Sequence, residues 1–220
     1  MNTQQTTLAE LAATRPAAAR IFFKHGLDFC CRGRRPLAEA CRDKGLDPEA
    51  ILREVERAEP SADDVAAWSE KPLAALVGHI LARYHDRLRE DLPILVAMAA
   101  KVEMRHAEKA TTPFGLADHL RAMQAAAFDH LEKEERVVFP HVLSGNGASL
   151  AAAIQCLEQE HTDHGTNLAH TRELTGNLVP PPEACATWRA LYSGLESLER
   201  DLMEHIHLEN NVLFPRVLCA

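Results

Sequence analysis

Apolar residues recur along most of this chain in steps of three and four, the spacing that gathers side chains onto one face of an α-helix, and strand-like alternation is absent. Four long stretches carry the pattern, over about 72–109, 115–139, 149–175 and 183–214, and short segments holding Pro, Gly or Thr separate them. Long helices joined by short turns pack against their neighbours, so the pattern predicts an all-α protein built on an antiparallel four-helix bundle. Two shorter helical patterns, 7–23 and 36–56, flank the polar segment 26–35. A charged stretch from Arg57 to Glu70, with Pro60 and Ser61 inside it, reads as a linker. The expected organisation is a small helical N-terminal domain over 1–58, a linker over 59–71 and the bundle over 72–220.

The inward stripes can be written out. In the second long helix they run Leu116, Leu120, Met123, Ala127, His130, Glu134, Val137, and in the fourth Trp188, Leu191, Leu195, Leu198, Leu202, His205, Glu209, Val212. The first runs Val77, Leu81, His85, Leu88, Leu92, and the third Leu150, Ile154, Cys156 or Leu157, His161, His164, Leu168. All four stripes therefore place histidine where a bundle core wants apolar side chains. Around His130 and His205 the chain repeats one phrase, H-x-x-x-E-x-x-V-x-F-P-x-V-L, at positions 75 residues apart. Residues four apart on a helix lie one above the other, so each copy aims an imidazole and a carboxylate at one point.

Counting from the turns tests whether these groups meet. His130 and His161 are about equally far from the turn near 144–148 and should share a height. His161 and His205 differ by about seven residues, roughly 10 Å, about the turn near 176–183, so the fourth helix is expected to start later than its apolar pattern does. His85 is about nine residues too far from its turn to face His130, unless the segment before Pro113 is not helical. His106 continues the His85 stripe, but 21 residues of straight helix span about 31 Å, which puts it in another layer unless Pro93 breaks the helix. His164 reads as a hydrogen-bond partner of a ligand, with a further ligand on the same stripe as the alternative. Glu160, beside His161, reads as a group managing protons or ions at the pocket edge. Glu135 and His207 fall off the stripes and read as surface.

Four histidines and two glutamates converging in an apolar core require a compensating cation, because a lone buried carboxylate costs several kcal/mol. A structural zinc site needs four ligands and favours cysteine, so six N and O donors over-supply it. Imidazole plus carboxylate suits iron, and two non-haem iron ions bridged by Glu134 and Glu209, with an oxo or hydroxo group, use all six. Glu-x-x-His carboxylate sites order their motif the other way and use more oxygen.

Charge and composition narrow the partners. A net charge of −8 argues against nucleic acid, whose phosphates are met by clustered Lys and Arg. No apolar run reaches the roughly 18–20 residues that span a bilayer, and the start lacks a basic then apolar leader, so a cytoplasmic protein without a membrane partner is expected. Six irregularly spaced cysteines fit a reducing compartment. Cys41, Cys156, Cys185 and Cys219 read as structural. Cys30 and Cys31 differ, because Lys24, Arg32, Arg34 and Arg35 surround an expected exposed turn, which would lower a thiol pKa. They read as transfer or redox thiols, open to a labile disulfide, iron or nitric oxide capture, or a mixed disulfide.

The doubled H-x-x-x-E motif, with Phe139-Pro140 and Phe214-Pro215 closing each helix, resembles the hemerythrin-like domain over about residues 75–218. With Asp28-Phe-Cys30-Cys31 ahead of it and Arg83-Tyr-His85 inside it, nearly the whole chain is similar to the di-iron repair-of-iron-centres family. That resemblance implies His85, His130, Glu134, His161, His205 and Glu209 as iron ligands. It also implies repair of iron-sulfur clusters damaged by nitric oxide or peroxide, through iron donation or nitric oxide handling. Damaged iron-sulfur proteins would be the clients, and the chain would act as a monomer or homodimer. The alternatives are a hemerythrin-like oxygen or nitric oxide sensor or carrier, and a di-iron nitric oxide or peroxide reductase.

Overall fold

A computed structural model describes residues 6–61 and 64–219; positions 62 and 63 of the expected linker lie outside it. Among the described residues the chain is helical, with one isolated antiparallel bridge between Thr7 and Pro36 and no strand. In order it forms α1 (Leu8–Thr14), α2 (Ala18–Lys24), α3 (Leu37–Lys44), α4 (Pro48–Arg57), a 3-10 turn (Val65–Trp68) and α5 (Leu73–Ile80). A π turn (Leu81–His85) leads into α6 (Asp86–Arg105), and α7 (Leu116–Lys133) is followed by a second π turn (Glu134–Val138) and α8 (Phe139–Leu143). A 3-10 turn (Gly147–Leu150), α9 (Ala151–Leu174), α10 (Ala186–Leu208), a third π turn (Glu209–Leu213) and α11 (Phe214–Leu218) complete it. No helix among the described residues is long and apolar enough to cross a membrane.

The chain falls into two compact units. The first gathers the described residues through Gly78 with His141–Ile154 and Met203 onward; the second gathers His79–Pro140 and Gln155–Leu202.

In the first unit, α1 starts with a capping box. The Thr7 hydroxyl accepts from the Glu10 backbone N–H at 3.2 Å, and the Glu10 carboxylate accepts from the Thr7 N–H at 2.9 Å. Helix α4 opens with Pro48 behind the Asp47 cap, where a missing N–H costs nothing. These short helices bury Leu8, Leu11, Phe22, Leu27, Phe29, Leu37 and Ile51. Helix α1 packs on the 3-10 turn at 65–68 and on the π turn at 209–213. The expected linker from Asp64 onward is thus pinned within this unit. Asp64 is buried and pairs with Arg20 at 3.0 Å, Ser69 donates to the Ala13 carbonyl, and Arg216 donates to the Ser69 carbonyl.

In the second unit, side-chain contacts close a ring of four helices. Glu103 accepts from the Ala117 N–H and His85 meets Glu135, so α6 and α7 run antiparallel. His119 reaches Asn167 and Thr171 while His130 meets His161, which sets α7 antiparallel to α9. Arg172 pairs with Glu199 across α9 and α10. Arg83 pairs with Asp201, and His106 stacks near Trp188, closing α10 antiparallel to the first run. The core includes Leu92, Ala99, Leu116, Leu120, Trp188 and Leu191. Pro93 sits inside α6 without ending it.

Three π turns shift the phase of the stripes. In each, a backbone N–H reaches five residues back: Asp86 to Leu81, Phe139 to Glu134 and Phe214 to Glu209. Pro140 and Pro215 cannot donate to the carbonyl four residues back and their rings would press on it, so an α-helical ladder cannot run through them. The wider turn before each proline absorbs the mismatch. The consequence corrects the sequence-based stripe: Val137, expected inward, is 46 % exposed, and Val138 is the buried residue at 1 %. Likewise Ile80 is buried where Leu81 was expected to be.

The axial offset of His85 also resolves. Residues 106–115 are not helical, and His85 stands beside Glu134 and Glu135, one turn beyond His130. Helix α10 starts at Ala186, three residues later than its apolar pattern begins.

Candidate metal centre

In the second unit the centre is built around Glu134, wholly buried at the head of its π turn. His130, one turn earlier, brings Nε2 to 3.3 Å from Glu134 Oε1; His85 brings Nε2 to 3.4 Å from Oε2; His161 stands at 3.9 Å from Oε1. The Nε2 atoms of His130 and His161 are 3.0 Å apart. Two ligands about 2.1 Å from one ion and at right angles are roughly 3.0 Å apart, so these donors have the spacing of groups that share a cation.

Each of two histidines is held from behind by a carboxylate. His85 Nδ1 lies 2.8 Å from Glu135 Oε1, and His130 Nδ1 lies 2.8 Å from Glu160 Oε2. A carboxylate on Nδ1 fixes the tautomer that leaves Nε2 as a lone-pair donor, the usual support of a metal-bound imidazole. Glu135 is in turn held by Arg89 at 2.7 Å, and Glu160 by Lys133 at 2.7 Å. Burial pushes both carboxyls up, but hydrogen bonds from Arg89 and His85 to Glu135, and from Lys133 and His130 to Glu160, hold them below their ordinary value. Lys133 is held well above its own by Asp129, then Glu160. A small cavity opens here between Asp129, Lys133, Glu160, Asp163 and His164. His164 is buried with its ring edge-on to His130, centroids 5.0 Å apart.

In the first unit the second copy of the motif has the same local form. His205 Nε2 is 3.0 Å from Glu209 Oε1, both are buried, and Glu209 heads its own π turn. His207, expected on the surface, is fully buried: its ring meets the Phe29 ring edge at 5.5 Å and its Nδ1 donates to the Phe29 carbonyl at 3.3 Å. Burial pushes this imidazole down to about 4. Asn211 donates to the carbonyls of Phe29 and Cys30 at 3.4 and 3.2 Å. The helix bearing His205 and Glu209 thereby grips the backbone of the dicysteine segment.

That segment folds around Asp28, whose Oδ1 accepts from the backbone N–H groups of Cys30, Cys31 and Arg32 at 3.2, 3.0 and 3.3 Å. Gly33 has no room for a side chain, since a Cβ there would stand 2.4 Å from the Phe29 carbonyl oxygen. Neither cysteine is in a disulfide; Cys30 is buried, Cys31 is half-buried, and their Sγ atoms are 3.6 Å apart. Cys30 is not the exposed, thiolate-favouring group that its basic neighbours suggested. The Cys31 hydrogen bond and then burial push the Cys30 thiol well up, while Lys24 is engaged by Glu54 and Arg35 by Glu39 and Asp43. Of the cysteines read as structural, only Cys41 is buried; Cys156, Cys185 and Cys219 are exposed.

Sequence reading missed the supporting roles of Glu135 and Glu160. The available signal was position: each adjoins a ligand, Glu134 or His161, and so points about 100° away from it, toward the neighbouring helix's histidine. Replacing either by alanine should weaken iron binding by about 10- to 100-fold while leaving the helices formed, measured by competition with a chelator of known affinity.

Comparison with known proteins matches residues 4–59 to a family described as a Domain of Unknown function (DUF542), and residues 76–217 to the Hemerythrin HHE cation binding domain. Relatives named iron-sulfur cluster repair protein YtfE include those of Pectobacterium atrosepticum, 46 % identical over 96 % of both chains, and Cronobacter sakazakii, 47 % identical over 97 % of this chain and 96 % of that one. The protein of that name from Citrobacter koseri is 44 % identical over the full length of both.

Proposed function

Because the chain belongs to the hemerythrin HHE iron-sulfur cluster repair family, we propose that it repairs iron-sulfur clusters damaged by nitrosative or oxidative stress, acting in the cytoplasm on damaged iron-sulfur proteins. In this reading His85, His130, Glu134, His161, His205 and Glu209 would hold two iron ions, with Glu134 and Glu209 supplying the carboxylates. The donor set supports it: imidazole and carboxylate groups suit iron, and the cation-binding domain match spans all six residues. Bound iron would supply a pool of exchangeable ions and a place for nitric oxide to bind.

The chain's own residues set the conditions for that exchange. Glu135 and Glu160 keep His85 and His130 oriented, and Arg89 and Lys133 keep those carboxylates charged. The observation that carries the reading is the grip of His207 and Asn211 on the Phe29 and Cys30 carbonyls, which ties the dithiol to the helix of two proposed ligands. An oxygen carrier or a reductase needs no such thiol arm.

The test is a Cys30→Ala, Cys31→Ala double variant. It should keep its full iron content yet lose at least about nine-tenths of its ability to reactivate a nitric oxide-damaged iron-sulfur dehydratase, a deficit of roughly 1.4 kcal/mol or more in the rate-limiting barrier. Reactivation at the wild-type rate would overturn the role of the thiols.

A further inference from the structure

We propose that Asp28, Cys30 and Cys31 form a metal site of their own, a three-ligand cradle for a thiophilic divalent cation with one coordination position left open. The Oδ1 of Asp28 and the two Sγ atoms offer ligand atoms all within 4.8 Å of one another. Two thiolates about 2.3 Å from a tetrahedral ion are roughly 3.8 Å apart, and here the sulfurs stand at 3.6 Å. A carboxylate oxygen about 2.1 Å from the same ion would lie roughly 3.6 Å from each sulfur; Asp28 Oδ1 is 3.3 Å from Cys30 Sγ. Both of these separations from the Cys30 sulfur are therefore close to those that a tetrahedral ion would impose.

The segment is built to stay in this shape. Three backbone N–H groups on Asp28 fix the carboxylate, Gly33 allows the chain to close on Phe29, and Asn211 holds the Cys30 carbonyl. The groups that keep the Cys30 thiol protonated, Cys31 and Asp28 among them, are the cation's other ligands, so a divalent ion replaces a repulsive neighbourhood with an attractive one. Binding a divalent ion M²⁺ forms two M–S bonds and releases both thiol protons to water, with no change of oxidation state. Cys31 is half-buried and Cys30 buried, which leaves the fourth position on the Cys31 side. Closed four-ligand sites hold metal for structure, whereas a three-ligand site can accept a ligand from another molecule. Under the repair reading, on which this use of the site rests, ferrous iron would pass through it by ligand exchange.

Cobalt(II) titrated anaerobically into the iron-loaded protein tests the site. The expected result is one equivalent bound with a thiolate-to-cobalt charge-transfer band and the intense visible bands of four-coordinate cobalt, which an all-N and O centre does not give. Cys31→Ser should abolish the charge-transfer intensity contributed by that sulfur, and Asp28→Asn, which still accepts the backbone N–H groups, should weaken cobalt binding by about tenfold or more. Unchanged far-ultraviolet circular dichroism and iron content would show that the variants fold. Absence of the band in the wild-type protein, or a band unaltered in Cys31→Ser, would overturn the site. Cobalt binding without any reactivation of damaged clusters would instead count against the repair reading alone.

Discussion

Replacing Glu134 with glutamine is expected to empty the metal centre while leaving the chain folded. Glutamine has the shape of glutamate and can still meet the imidazole nitrogens that stand 3.3–3.9 Å from the carboxylate, so packing in the metal-free protein barely changes. What disappears is the negative charge, and a divalent or trivalent ion in a buried site then lacks compensation. Iron analysis should find the variant close to metal-free after a purification that leaves the wild type loaded. Stability gives an independent reading. At free iron about 100 times the dissociation constant, binding stabilises the wild type by about 2.7 kcal/mol. For a chain of 220 residues that is roughly 5–10 °C in melting temperature. The glutamine variant should melt within about 2 °C of the metal-free wild type and should not respond to added iron. A variant that keeps its full iron complement would remove Glu134 from the ligand set.

The second large effect lies in the same unit, far from the centre. Trp188 is fully buried, with the Tyr192 ring 6.2 Å and the His106 ring 5.1 Å away. Truncation to alanine leaves a cavity that α6 and α10 cannot close, which costs about 3–5 kcal/mol. Calorimetry on the metal-free form should show a fall in melting temperature of roughly 6–20 °C. Iron binding per folded chain should be retained. Glu134→Gln thus removes metal without unfolding, and Trp188→Ala weakens the fold without removing the ligands.

These two residues also show what the sequence discloses. Trp188 and Glu134 both stood on apolar stripes, and a three-to-four repeat identifies such positions because core burial follows helix period. The helical fold and the repeated motif were legible for the same reason. His106 was not settled that way. It continued the His85 stripe, but an unbroken α6 of 20 residues carries it about 30 Å away, where its Nε2 lies 3.2 Å from Cys185 Sγ. Val137 misled because one extra residue in a turn leaves no mark in a hydrophobic pattern. His207 was misread because its partner, the Phe29 carbonyl, lies 178 positions away and belongs to the backbone, which no side-chain periodicity reports. Cys30 was misread because proximity in sequence to arginines says nothing about burial or about the Cys31 sulfur beside it, and these push its thiol up.

The three π turns carry a consequence for how this chain can vary. A helix read in steps of 3.6 behaves like a text with a fixed frame, and a π turn is a single-letter insertion: everything after it is read one position out of step. The motif tolerates this because its ligands lie before the shift and its Phe-Pro anchor after it. Deleting one residue between Glu134 and Val138, or between Glu209 and Leu213, would restore the frame and swing the following Phe-Pro segment around the helix by about 100°, carrying Phe139 or Phe214 out of the place it now fills. Chain length in these two short intervals is therefore as strictly determined as the identity of the residues that flank them.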